Sequence, residues 1–189
     1  AGLPEDVRAA AADTASQKNL QGWAFTLHFP SYYPVMQYAE NRAFRRLMYE
    51  AYVTRASELG PKYAQGNASW DNTQNMLDQL KLRDEEARML GFANFAALSL
   101  APKMANTVDE VDLFLTNFAN KAKPYAQRDW DELTQFAREE LGITDGVLPW
   151  DSAFVAERLK QQRYAFSENE LKQYFPLPKV LDGLFGVIQ

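Results

Sequence analysis

Thirty-five residues, Thr107 to Leu141, carry one helical pattern without a break, and no other feature narrows the possible folds as far. The segment opens on Thr107-Val108-Asp109-Glu110, the spacing of a capping box, in which the threonine oxygen accepts from the third helical amide and the glutamate reaches back. Gly142 supplies a left-handed stop. Pro124 lies inside and removes one backbone donor, which predicts a kink or two helices meeting at an angle. A chain holding such an element is mainly α.

The flanking segments agree, with one or two short β-strands as exceptions. Pro4, Glu5 and Asp6 open a first helix, since proline pre-sets φ and the acids face exposed N–H groups; Ala9 to Ala12 extend it. Gly22 to Pro30 alternates larger side chains with β-formers and stops at proline, which reads as a strand. From Tyr32 to Ser57 helical spacing returns, with Phe44, Leu47, Met48, Ala51 and Tyr52 on one face and Arg42, Arg45, Arg46 and Glu50 on the other. Leu59 to Trp70 has glycines, a proline and no apolar period, and reads as a loop. Asp71 or Asn72 caps a helix ending at Gly91, and a short helix over Asn94 to Leu100 stops before Pro102. Pro149 opens another helix, Tyr164 to Phe166 reads as a short extended piece, and Ser167 to Glu170 repeats the capping-box spacing. The apolar stretch Val180 to Gln189 lacks a polar tail, so the chain is expected to be truncated.

With 189 residues, 47% hydrophobic, the chain is long enough for one helical domain over 1–189. No cysteine means no disulfide, thiolate metal site or cysteine nucleophile. A single histidine, His28, cannot complete H-E-x-x-H zinc sites, Ser-His-Asp triads or paired Glu-x-x-His metal bundles. A net charge of -5 gives no positive field for nucleic acid or anionic membrane. Neither a basic, apolar leader nor a membrane-spanning apolar run is present, so the expected location is the cytoplasm.

Side chains of catalytic type are sparse, and most have a plainer reading. His28 lacks ligand-spaced partners and reads as a packed or surface residue; Asp84-Glu85-Glu86 reads as a solvated helical face, because neighbouring helical residues point about 100° apart. The basic stripes Arg42-Arg45-Arg46 and Arg158-Lys160-Arg163 suit peptide carboxylates, but local pairing with glutamate is the simpler role. Tyr32 and Tyr33, between Pro30 and Pro34, suit a cleft wall or a core corner. Asn67-Ala68-Ser69 is a glycosylation sequon without meaning unless the protein is secreted. No phosphate-binding glycine loop or nucleophile elbow occurs.

Leu27-His28-Phe29-Pro30-Ser31-Tyr32-Tyr33-Pro34-Val35-Met36, Arg55-Ala56-Ser57 with Gly60-Pro61, and Trp70-Asp71-Asn72 resemble, in order, the thimet oligopeptidase family of zinc metallopeptidases, most closely its bacterial oligopeptidase A branch. The resemblance continues through Leu90-Gly91-Phe92-Ala93-Asn94-Phe95, Ser99-Leu100-Ala101-Pro102-Lys103-Met104-Ala105, Pro149-Trp150-Asp151 and the block from Glu157 to Phe185. It departs at Phe154 and Val155, where relatives often carry tyrosine. The resemblance implies a mainly helical hydrolase with a deep channel that degrades short peptides. Its zinc is held by two histidines of H-E-x-x-H and a later glutamate, and the motif's own glutamate is the general base. That motif lies C-terminal to the stretch this chain resembles. The chain is therefore expected to be a non-catalytic internal fragment that binds no zinc itself, lacks its C-terminal catalytic half, and supplies channel wall and support. Tyr32, Tyr33 and Arg163 are the expected channel-facing residues, with no catalytic or metal residue assigned. The alternative is a stand-alone helical module that holds peptides or a partner protein without cleaving them.

Overall fold

Helix follows helix through the computed structural model of the chain, which describes residues 1–63, 70–165 and 168–188. In order they are α1 (Glu5–Gln17), α2 (Phe29–Tyr38), α3 (Arg42–Val53), α4 (Gly60–Tyr63), α5 (Thr73–Met89), α6 (Phe95–Leu100), α7 (Val108–Glu139), α8 (Ser152–Tyr164), α9 (Glu168–Lys172) and α10 (Leu177–Ile188). Two compact units arise: Ala1–Tyr52 with Leu133–Gln189, and Val53–Glu132.

The expected strand over Gly22–Pro30 does not form, and no strand occurs among the described residues. Residues 22–28 are irregular, and Pro30 sits in the first turn of α2, where a missing N–H costs nothing. The backbone donors of this stretch go elsewhere: Ala24 N–H donates to the Ala11 carbonyl at 2.9 Å, and Thr26 N–H to Ser31 Oγ at 2.9 Å. Of the alternating large side chains, Phe25 and Leu27 pack on the core while Trp23 stays 65% exposed. The second extended piece fails too: Tyr164 ends α8 and Ala165 turns left-handed at φ 55, with Phe166 outside the described residues. Gly60–Tyr63 forms the short helix α4 inside the expected loop; residues 64–69, including the sequon, lie outside the described residues, as does Ser167 of the second capping box.

In the first unit the core is Tyr32, Val35, Met36, Ala39 and Met48, with Leu3, Phe44, Tyr49, Tyr52, Trp150 and Ala153 packed against it. Helix α2 supplies most of it, packing on α8 along one side and on α1 along another. Tyr32 stacks on Tyr52 with ring centroids 3.9 Å apart, and Phe25 meets Phe44 edge-on at 5.3 Å. The single helical run expected from Tyr32 to Ser57 breaks at Ala39–Asn41 into α2 and α3, and Asn41 Oδ1 accepts from Phe44 N–H at 3.0 Å at the restart.

In the second unit α5 packs on α6. Helix α5 stops where expected: Gly91 is left-handed at φ 82, and Phe92 N–H donates to the Ala87 carbonyl at 2.8 Å. Helix α6 starts at Asn94, whose Oδ1 accepts from Ala97 N–H at 2.9 Å. The capping box of α7 forms, with Glu110 N–H donating to Thr107 Oγ1 at 3.2 Å and Asn106 N–H to Glu110 Oε2 at 2.9 Å. Helix α7 continues through Pro124 as one element.

Candidate functional site

Asp151 and Arg45 are charged and almost wholly buried, at 0% and 1% exposure, and a polar constellation of the first unit grows from them. Arg42 and Arg45 are three residues apart on α3, hence on one face. Asp151 holds the N-cap position of α8, but its carboxylate turns away from the helix amides. Both Asp151 oxygens accept from Arg42 Nε at 3.0 Å, and Oδ2 also accepts from Arg42 Nη2 at 2.8 Å. Arg45 Nη2 donates to Asp151 Oδ1 at 2.7 Å, and Leu148 N–H to Oδ2 at 3.2 Å. The remaining donors of Arg45 find carbonyls: Nε meets Trp150 at 3.0 Å and Nη1 meets Ala39 at 2.7 Å. Each polar atom removed from water in this way must be paired, because a lone charge there costs several kcal/mol.

The network continues outward to the solvent. Arg42 Nη1 donates to both oxygens of Asp145, at 2.7 and 2.8 Å. These hydrogen bonds hold the Asp145 carboxyl below its ordinary value, and those to Asp151 and Asp145 hold the Arg42 guanidinium above its own. The Arg45 guanidinium carbon lies 4.1 Å from the Phe154 ring centroid and that of Arg158 lies 5.1 Å from it; Arg158 also pairs with Glu40 at 3.5 Å. Phe154, the point of departure from the resembled family, thus serves as a stacking plate. A cavity of about 500 Å³ opens beside it, lined by Glu40, Arg158, Ile143 and Phe154. Chemically the constellation clamps the start of α8 and the loop before it onto α3.

Local pattern missed this site. Arg42 and Arg45 were expected on a solvated face, whereas α3 buries Arg45, Met48 and Ala51 and leaves Leu47 56% exposed. Arg46 does what was expected and pairs with Glu50 at 2.8 Å.

The expected channel residues fall in different surroundings. Tyr32 is buried in the core, Tyr33 is 37% exposed and stacks on Phe29 at 4.9 Å, and Arg163 is exposed in the last turn of α8. His28 is exposed at the N-cap of α2. Asp84 pairs with Arg88 at 3.0 Å one turn on. Zinc, implied by the resemblance, does not fit the residues present: among the described residues no three His, Asp or Glu side chains converge on a point.

Comparison with known proteins bears on the whole chain. A model of peptidase family M3 matches residues 35–189. The chain belongs to that family. M3 relatives include oligopeptidase A of Haemophilus influenzae, 46% identical over the whole chain and 27% of the relative's length. Two Arabidopsis thaliana proteins match 87% of the chain: the probable cytosolic oligopeptidase A at 42% identity over 22% of its length, and the chloroplastic/mitochondrial organellar oligopeptidase A at 41% over 20%. This M3 chain therefore spans about a quarter of the length of the relatives it matches. No helix among the described residues is long and apolar enough to cross a membrane.

Proposed function

We propose that this chain is a non-catalytic portion of an oligopeptidase A-like zinc peptidase that hydrolyses short peptides in the cytoplasm. The observation that carries the reading is a family match across residues 35–189, in register with relatives roughly four times as long. A lone histidine in 189 residues supports placing the zinc chemistry on other parts of the enzyme, since the H-E-x-x-H motif alone takes two. In this reading the helices supply wall and scaffold. The Arg42–Arg45–Asp151 clamp fixes α8 on its neighbours, and the exposed Tyr33 and Arg163 face the peptide channel with Tyr32 packed behind.

The test compares the 189-residue chain with the product of the complete source gene on an internally quenched short peptide, each with and without zinc. Zinc-dependent turnover by the full product and none by the chain is expected. Turnover that copurifies with the chain would overturn the non-catalytic reading, and a gene that stops at Gln189 would overturn the parent enzyme. Fractionation of source cells tests the cytoplasmic assignment, and recovery of the full product in an organelle or envelope fraction would refute it.

A further inference from the structure

A second cavity, of about 620 Å³, opens in the first unit and shares no lining residue with the one beside Phe154; its size suits a small organic ligand. Trp23, Phe25 and Phe44 give it aromatic walls, and Leu3 and Ala39 add aliphatic surface. The walls are held in place. Phe25 and Phe44 meet edge-on, and Glu40 N–H donates to the Ala1 carbonyl at 3.3 Å. Gly2 stands at φ 85, where a Cβ would collide with the Tyr38 carbonyl. Trp23 is 65% exposed, so a large indole face is open to a ligand.

Two side chains of this cavity, Arg8 and Asn41, carry donors. Arg8 lines it, and among the described residues its guanidinium has no acceptor. Asn41 uses its oxygen on Phe44 N–H, which leaves its amide nitrogen as a second donor. No aspartate or glutamate lines the cavity to neutralise Arg8. A recess with aromatic walls on one part of its lining and an unpaired guanidinium on another selects a definite chemistry: a flat apolar body against the rings, and a carboxylate for the planar fork.

We propose that this cavity binds an apolar, preferably aromatic, group bearing a carboxylate, with Arg8 as the anion contact and Trp23 as the stacking face. The carboxylate belongs either to a small aromatic acid or to the last residue of a peptide, and the two share the same recognition chemistry.

Three probes separate the possibilities: N-acetyl-L-phenylalanine, its carboxamide, and glycylglycyl-L-phenylalanine. Each is titrated into the zinc-free product of the complete source gene while the indole N–H of Trp23 is followed by NMR, the resonance being identified by its loss in Trp23→Phe. The free acid should move that resonance to saturation and bind at least tenfold tighter than the amide, since a hydrogen bond to a charged group exceeds about 1.4 kcal/mol. Arg8→Met should bring the acid down to the level of the amide and leave the amide unchanged. Acid and amide binding alike, an unmoved Trp23 resonance, or an acid indifferent to Arg8→Met would each overturn the proposal. A tripeptide that matches the free acid upholds the site with peptide carboxy termini as its source; a tripeptide that fails while the acid binds upholds it with small aromatic acids instead.

Discussion

At the scale of single residues, energy concentrates where charge is removed from water. Asp151 accepts from two arginines and one backbone amide, so Asp151→Ala strands a guanidinium that is 1% exposed. The expected loss is about 3–5 kcal/mol, measured by urea unfolding followed by circular dichroism. Asp145 stands at the wet end of the same network, and its lowered carboxyl fixes the sign of a pH effect. A depressed carboxyl contributes stability above its ordinary value of 3.8 and loses it as the pH falls toward the folded value. Asp145→Asn should therefore destabilise at neutral pH, and the gap between variant and parent should close as the pH drops through about 4 toward 2 in a series of urea titrations. A gap that stays constant would contradict the ion pair. Thr134 Oγ1 is buried with no hydrogen-bond partner among the described residues. Thr134→Val keeps the shape and removes an unmet donor, so a gain of about 1 kcal/mol is expected from the same titration.

At the scale of elements, helix ends were the most legible part of the sequence. Capping depends on residues within one turn, so Asn94, Thr107, Gly91 and Gly142 could be read directly, and Gly142 does take φ 65 at the end of α7. Asn94→Ala should cost about 1 kcal/mol and lower the thermal midpoint; an unchanged midpoint would mean that α6 is held by packing alone. What could not be read was any choice made by distant residues. The backbone of 22–30 is compatible with strand or turn, and Ser31, Ala11 and the core decided it. Likewise, Asp151 lies 109 residues from Arg42 in sequence, and no local period announces that two members of a basic stripe are turned inward. The i, i+3 spacing of Arg42 and Arg45, followed far along by an aspartate at a helix start, was the available signal. It gains meaning only once the helices are placed.

At the scale of the whole molecule, many large apolar side chains stay exposed among the described residues. Helix α10 buries none of its residues, and Leu177, Leu184, Phe185, Val187 and Ile188 are all more than half exposed. Patches of this kind mark contact surfaces or sites of association. Sedimentation equilibrium should show the average mass of the chain rising with concentration, and Phe185→Glu should reduce that rise. A monomer across the range would show that α10 does not drive association.

The clamp also has a consequence for how such a chain can change over generations. Asp151 cannot be lost while Arg45 remains interred, and Arg45 cannot be lost without leaving an acid whose other partner, Arg42, is already shared with Asp145. A change at Asp151 or Arg45 is therefore coupled to what stands at the other, and the order in which the two are replaced matters as much as the replacements themselves.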